Sequence, residues 1–318
     1  MINFLWLILA LLLVIKSADY SIRYAARLAL SWHLSKYTVG FTIIAAISVL
    51  PETFVSISSS LQGVPSFGLG TLFGSNVADL TFVFALVVLI AGRHLRVESQ
   101  ILKNRLYYAG VLGVPVLFGL NGYYSRLEGL ILIATGLIFY FFVLTKARRH
   151  NKNINSANIK FWLMIKNLCL LILSLVALLI GAYLTVKFAV ASAGMLHVNP
   201  ILVALVVGLG TCLPELSFSV KAARKNHENL ALGDILGTVI TDATIVVGIL
   251  ALINPFAFDQ RIIFITGLFM LFAIILLLYF MKTGKVLTKP EALLLLLFYL
   301  LFVLTQFAVG ANAGGLDW

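Results

Sequence analysis

Glu52 and Asp79 lie in consecutive apolar stretches of the chain, and Glu215 and Asp242 lie in a second such pair. A carboxylate at a bilayer centre costs about 2.5–3.5 kcal/mol on insertion scales, so it is retained there with a partner or for a function. No Lys or Arg lies at matching depth in these four stretches, so the positive partner must be mobile: a metal cation or a proton. Ser48, Ser75, Thr211 and Thr238 place hydroxyl oxygens close by. Pro51 and Pro214 each precede a glutamate. A proline lacks the backbone N–H and disturbs the turn before it. That loosens carbonyls near Ile47 and Gly210, close to Ala45 and Gly208. Carboxylate, hydroxyl and carbonyl oxygens together suit calcium or sodium and not zinc or copper. Gly70, Gly74, Gly233 and Gly237 would let the carrying helices approach closely.

These residues recur at one spacing. An offset of 163 takes Leu50-Pro51-Glu52 to Leu213-Pro214-Glu215, Ser48 to Thr211, Ser56 to Ser219, Ser75 to Thr238, Asp79 to Asp242 and Thr81 to Thr244. It also takes Gly70 to Gly233, Gly74 to Gly237 and Tyr20 to Tyr183. Polar positions coincide best, which shared apolar composition does not explain. Asp19 and Asp234 have no acidic mates, falling opposite Ala182 and Thr71, and read as interfacial or capping residues. Ser56, Ser58, Ser59, Ser60, Ser217 and Ser219 fit an ion path or helix packing about equally. Cys212 reads as a packed small residue, and no His, Cys or zinc-type spacing points to a structural metal, a disulfide or a resident cofactor.

The elements that must hold the four acids are membrane helices. The 318 residues are 61% hydrophobic and 11% charged, against roughly 25% charged in soluble proteins. Mean hydropathy is +1.06. The pattern predicts an all-α integral membrane protein with ten transmembrane helices, near 2–22, 38–61, 68–91, 105–121, 127–145, 166–186, 199–221, 230–252, 261–281 and 290–308. The first continues as an amphipathic segment through Trp32. The chain then divides into a first five-helix repeat (1–145), a basic cytoplasmic linker (146–165) and a second five-helix repeat (166–318). Five is odd, so the second copy is inverted, the layout with which many secondary transporters flank a midplane site. Twenty Lys and Arg fall in connections after odd-numbered spans and three (Arg126, Lys187, Arg261) after even ones. The positive-inside rule therefore places the odd connections in the cytoplasm and both termini outside. The net charge of +11 faces an anionic leaflet in this reading, with the bilayer as the partner and neither nucleic acid nor a protein partner indicated. The first span lacks a basic leader and reads as retained, and with no organelle presequence the expected location is a prokaryotic cytoplasmic membrane.

At "AISVLPE" with "GSNVAD", and "GLGTCLPE" with "GTVITD", the chain resembles the cation/calcium exchanger superfamily, in particular the prokaryotic sodium/calcium exchangers. The resemblance implies ion sites on the second, third, seventh and eighth helices. Glu52 and Glu215 would be shared calcium ligands, with Ser48 and Thr211 beside them. Ser75 and Thr238, with the Ala45 and Gly208 carbonyls, would complete flanking sodium sites, and Asp79 and Asp242 would line the middle. The chain departs from the family pattern at Val49 and Cys212, where serines are usual, at Val239 in place of Asn, and at Asp79, where the family often has Asn.

The expectation is therefore an antiporter and not an enzyme, exchanging calcium for sodium by alternating access, with the first and sixth helices sliding against the remainder. The alternative is a cation/proton exchanger of the same fold, because crowded carboxylates titrate as a group; potassium co-transport is a further variant. An ion channel fits two inverted repeats less well. The Asp234 context "ALGDILG" is a faint match to intramembrane aspartyl proteases, without a partner motif.

Overall fold

The structure, a computed structural model, describes residues 2–31, 45–92, 94–96, 105–147, 161–196, 200–226, 228–282 and 284–312. The described chain is almost entirely helical, and seven of its helices are long and apolar enough to cross a membrane. The protein is an integral, multi-pass membrane protein. Its outer faces carry exposed leucines, such as Leu173, Leu179, Leu293, Leu297 and Leu304, while carboxylates and hydroxyls are interior. In water that distribution would be unstable; in lipid it is the expected one.

Helix α1 (Ile2–Ser31) is continuous, so the apolar first span and its amphipathic extension form one element. It packs most extensively on α8 (Phe161–Leu196), the first helix of the second half. Their seam is lined by Val14, Ala18, Leu178 and Ala182, with Ser21 bonded to Ser174 at 2.9 Å. At 36 residues, α8 is about 54 Å long and exceeds a bilayer core of about 30 Å. It begins at Phe161 where the sequence suggested 166, and α7 (Arg126–Ala147) runs past 145, so both helices extend into the expected 146–165 linker. The middle of that linker lies outside the described residues, as do 32–44, which include the first part of the span expected at 38–61.

The next elements repeat in register. α2 (Ala45–Ser48) ends at a turn around Val49, and α3 (Leu50–Leu61) follows with Pro51 in its first turn. In the second half α9 (Pro200–Thr211) ends at a turn around Cys212, and α10 (Leu213–Arg224) follows with Pro214. α4 (Pro65–Ala78) passes into a π-helical turn, Asp79–Val83, and then α5 (Phe84–Ala91). α11 (Glu228–Thr241) passes into a π-helical turn, Asp242–Val246, and then α12 (Val247–Ile253). The bounds of α3 and α10, of α4 and α11, and of the two π turns all differ by the sequence offset of 163. The stretches Pro65–Ala91 and Ala231–Ile253 are the most enclosed spans.

Two small antiparallel strand pairs tie the halves together. β1 (Leu95–Arg96) pairs with β4 (Val286–Leu287), and β2 (Tyr123–Tyr124) pairs with β3 (Phe256–Ala257). β1 follows α5 as β3 follows α12, and β2 and β4 differ by 163. Each half thus lends one strand to each pair. Between the pairs lie α6 (Arg105–Phe118) in the first half and α13 (Leu268–Lys282) in the second, and α14 (Lys289–Asn312) packs outside α5.

Candidate functional site: a buried acidic interior

The sequence places four acids at helix discontinuities, and the structure shows why they face inward. Val49 and Cys212 sit at breaks that let α3 and α10 restart with a proline, which suits a first turn because its missing N–H has no partner to lose there. Glu52 and Glu215 fall in those first turns. Asp79 and Asp242 each open a π turn, a widened geometry that recurs at functional sites; a third π turn, Ile262–Gly267, carries no acid.

All four are fully buried. Among the described residues, both carboxyl oxygens of each lack a hydrogen-bond partner. The described ion pairs are Arg23–Asp19 at 3.0 Å and Arg261–Asp259 at 3.9 Å, both partly exposed and apart from the four buried acids. The acids lie near enough to repel: Glu52 acts on Asp79, Glu215 and Asp242, and Asp79 acts on Glu215 and Asp242. Buried polar groups are normally satisfied, and unpaired buried charge is among the costliest features a fold can carry. Such a set fits hard cations that supply the missing charge. Among the described residues no three acidic, His or Cys side chains converge tightly enough to cage a metal. The four acids line one interior without closing on one point.

The hydroxyls divide into two kinds. Ser48 donates to Asp234 Oδ1 at 3.1 Å and lies 3.2 Å from the Thr238 hydroxyl, joining the two halves. Thr211 lies beside Glu52 but bonds the Gly208 carbonyl at 2.9 Å, and Ser75 bonds the Leu72 carbonyl of its own helix at 2.9 Å. Cys212, beside Asp79, directs its thiol at the Gly208 carbonyl, 3.1 Å away, and is fully packed. The Gly208 carbonyl therefore meets Thr211 and both the amide and the thiol of Cys212, so it is not left open by the proline as the sequence suggested. Ala45 opens α2.

Gly208 matters for another reason. A Cβ built there would lie 2.9 Å from the Thr71 carbonyl oxygen and 3.2 Å from the Ser75 nitrogen, both backbone atoms that cannot swing aside. Its bare face is what lets α9 and α4 cross beside the acids. Gly208→Ala is expected to lower stability by about 1–3 kcal/mol, the range for overpacking, read as a lower melting temperature in detergent. Gly74, among the glycines expected to permit close approach, would meet the flexible end of Leu205. Tyr140 on α7 braces α11 from outside, bonding the Gly237 carbonyl at 2.9 Å and the Thr241 hydroxyl at 2.6 Å.

One acid contradicts the sequence reading. Asp234 is fully buried and is neither interfacial nor a cap. α11 starts at Glu228, so Asp234 lies well inside the helix. It shares a stripe with Thr238 and Asp242, four and eight residues on, and that periodicity was the available signal.

Comparison with known proteins agrees with this architecture. The family model described as "Sodium/calcium exchanger protein" matches residues 2–145 and 166–308. The chain is 26% identical to the sodium/calcium exchanger MaX1 of Methanosarcina acetivorans, over 97% of this chain and 99% of that protein. It is 27% identical to the inner membrane protein YrbG of Escherichia coli, over 80% of each. Among solved structures it is similar to the sodium–calcium exchanger NCX_Mj soaked with 2.5 mM sodium and 10 mM strontium, with TM-score 0.70 and 23% identity, covering 96% of this chain and 98% of that one. That likeness shows the shared fold. The chain belongs to the sodium/calcium exchanger family of membrane ion exchangers.

Proposed function

We propose that the protein is a secondary antiporter that exchanges calcium for sodium by alternating access. The observation that carries this is the interior set of Glu52, Glu215, Asp79 and Asp242, contributed equally by two halves and lacking any described counter-charge. A transported divalent ion offsets two of these charges, and sodium ions offset them in its absence. Glu52 and Glu215 are the central ligands in this reading, with Ser48, Thr211, Ser75, Thr238 and the Ala45 and Gly208 carbonyls as flanking oxygens. The Thr211 hydroxyl and the Gly208 carbonyl, now bonded to each other, would have to part to serve. The side chains must also draw in around the ion, because the described groups do not already form a cage.

Ten helices in two inverted repeats are the architecture of the proposal. The exchanged strand pairs, the matching bounds at an offset of 163 and the family match in two blocks support it. The long α1–α8 pair is the natural moving element, since the two helices pack most extensively on each other, with Ala18, Ala182, Ser21 and Ser174 beside Val14 and Leu178 in their seam. The orientation, with the basic connections in the cytoplasm, rests on the charge bias alone.

The test is the driving gradient. In proteoliposomes, an outward sodium gradient is expected to drive calcium uptake at constant pH. Uptake driven by a pH gradient and indifferent to sodium would replace sodium by protons as the counter-ion.

A further inference from the structure

The two halves close differently behind the acid-bearing π turns. In α7, Gly136 lies against the turn Asp242–Val246: a Cβ there would stand 2.5 Å from Thr244 Oγ1 and 2.6 Å from Ile245 Cγ1. Two turns earlier Gly129 meets Gly248 of α12, and a Cβ on either would come within 2.8 Å or 2.6 Å of the other's carbonyl oxygen. Such bare faces let membrane helices touch backbone to backbone, so α7 sits flush on its turn. The offset of 163 pairs Gly129 with Ala292, Gly136 with Tyr299 and Phe82 with Ile245. α14 therefore meets the other π turn, Asp79–Val83, through a ring: Tyr299 packs tilted against Phe82, with centroids 5.3 Å apart.

The ring acts as a spacer and leaves a groove between α14 and α9, with a volume of about 390 Å³. Its walls are apolar side chains at 202–209 of α9 and 296–307 of α14, with Phe82 between them. Val206, Leu300 and Phe307 on its rim are each more than half exposed on the outer apolar surface. From Leu296 to Phe307 the groove follows α14 for about 16 Å, roughly half of a hydrocarbon core of about 30 Å. Spread over that length, its volume has a mean cross-section of about 24 Å². A helix about 10 Å across needs about three times as much. A single hydrocarbon chain, whose carbons approach their neighbours at about 4 Å, matches it.

We propose that the groove is a binding site for one acyl chain of a membrane lipid. Water gains no hydrogen bonds from such walls, and a helix of a second copy is too thick to enter. The bilayer around the rim supplies a chain of the right width and length. A chain seated there touches Phe82, in the turn that Asp79 opens, and α9, which ends at the break before Pro214 and Glu215. Tyr299 stands near enough to Asp79 to feel its charge. Lipid thus completes, behind one π turn, the packing that α7 completes with protein behind the other.

Photolabelling tests the site and needs no transport, so it stands or falls apart from the exchange reading. Wild-type protein is reconstituted in dioleoylphosphatidylcholine vesicles carrying a trace of phosphatidylcholine with a mid-chain diazirine, and adducts are mapped by mass spectrometry. Adducts at 202–209 and 296–307 are expected to exceed those at exposed leucines of α8, such as Leu173 and Leu179, by about tenfold, a preference of about 1.4 kcal/mol over bulk lipid. In Val303→Trp, which fills the groove, labelling there is expected to fall to the α8 level while α8 labelling is unchanged. Wild-type adducts distributed simply by exposure would overturn the site. A disulfide-linked dimer formed by Leu300→Cys and absent from the parent protein would put a second copy over the groove and overturn it as well.

Discussion

Glu52→Gln and Glu215→Gln each abolish calcium exchange, by about a hundredfold or more, yet leave a folded protein that melts no lower than wild type when cations are absent. The two halves of this result have opposite signs for one physical reason. Each glutamate is fully buried with both oxygens unpartnered, so in the empty protein it contributes unfavourable desolvation and repulsion from the other acids. Glutamine keeps the shape and removes the charge, which relieves that cost. The same charge is the ligand a divalent ion needs. Charge-assisted contacts to oxygen are about twice as strong as neutral ones, and each 1.4 kcal/mol lost is a factor of ten in affinity. Stability that holds or rises while transport disappears is the pattern of a residue kept for function at a cost to the fold. Flux assays paired with thermal melts of the same preparations check it. A sharp fall in melting temperature would mean that the glutamates hold the helices together and that lost transport is a consequence of misfolding.

Calcium is expected to stabilise the purified protein strongly. A ligand that binds the native state alone adds RT ln(1 + [L]/Kd), about 2.7 kcal/mol at a hundredfold excess over Kd. The effect is large here because the interior gathers Glu52, Glu215, Asp79, Asp242 and Asp234, all buried, with no described basic side chain paired to them. Chelation should therefore lower the melting temperature of wild type, and calcium should restore it. The shift should vanish in the Glu52→Gln, Glu215→Gln double variant. A calcium-induced shift that persists in the double variant would place the stabilising ion elsewhere.

Much of this site is legible in the sequence because it is written twice. A single buried glutamate has several explanations; two Leu-Pro-Glu stretches with an aspartate 27 residues after each glutamate have few. The break before each proline was legible too, since a proline must start a helix or disturb it. Helix ends were not. The overlong α8 looks from hydropathy like an ordinary span, because nothing in composition marks where a helix leaves the membrane. Counting spans is likewise blurred by the breaks: α3 has 12 residues, about 18 Å, too short to cross alone. Asp234 reads from the sequence as an interfacial or capping residue because repeat symmetry is the guide, and Asp234 is where the symmetry fails. Its hydrogen-bond donor Ser48 lies 186 residues away, a contact that no local pattern encodes.

The central claim is one interior site shared by calcium and sodium. Its most direct test is equilibrium binding of radiolabelled calcium to purified wild-type protein as sodium is raised at fixed pH and ionic strength. The account predicts that bound calcium falls to zero as sodium rises, more steeply than one-for-one displacement, because more than one sodium ion is needed to replace a divalent charge. Calcium binding that is unmoved by sodium would contradict a shared site.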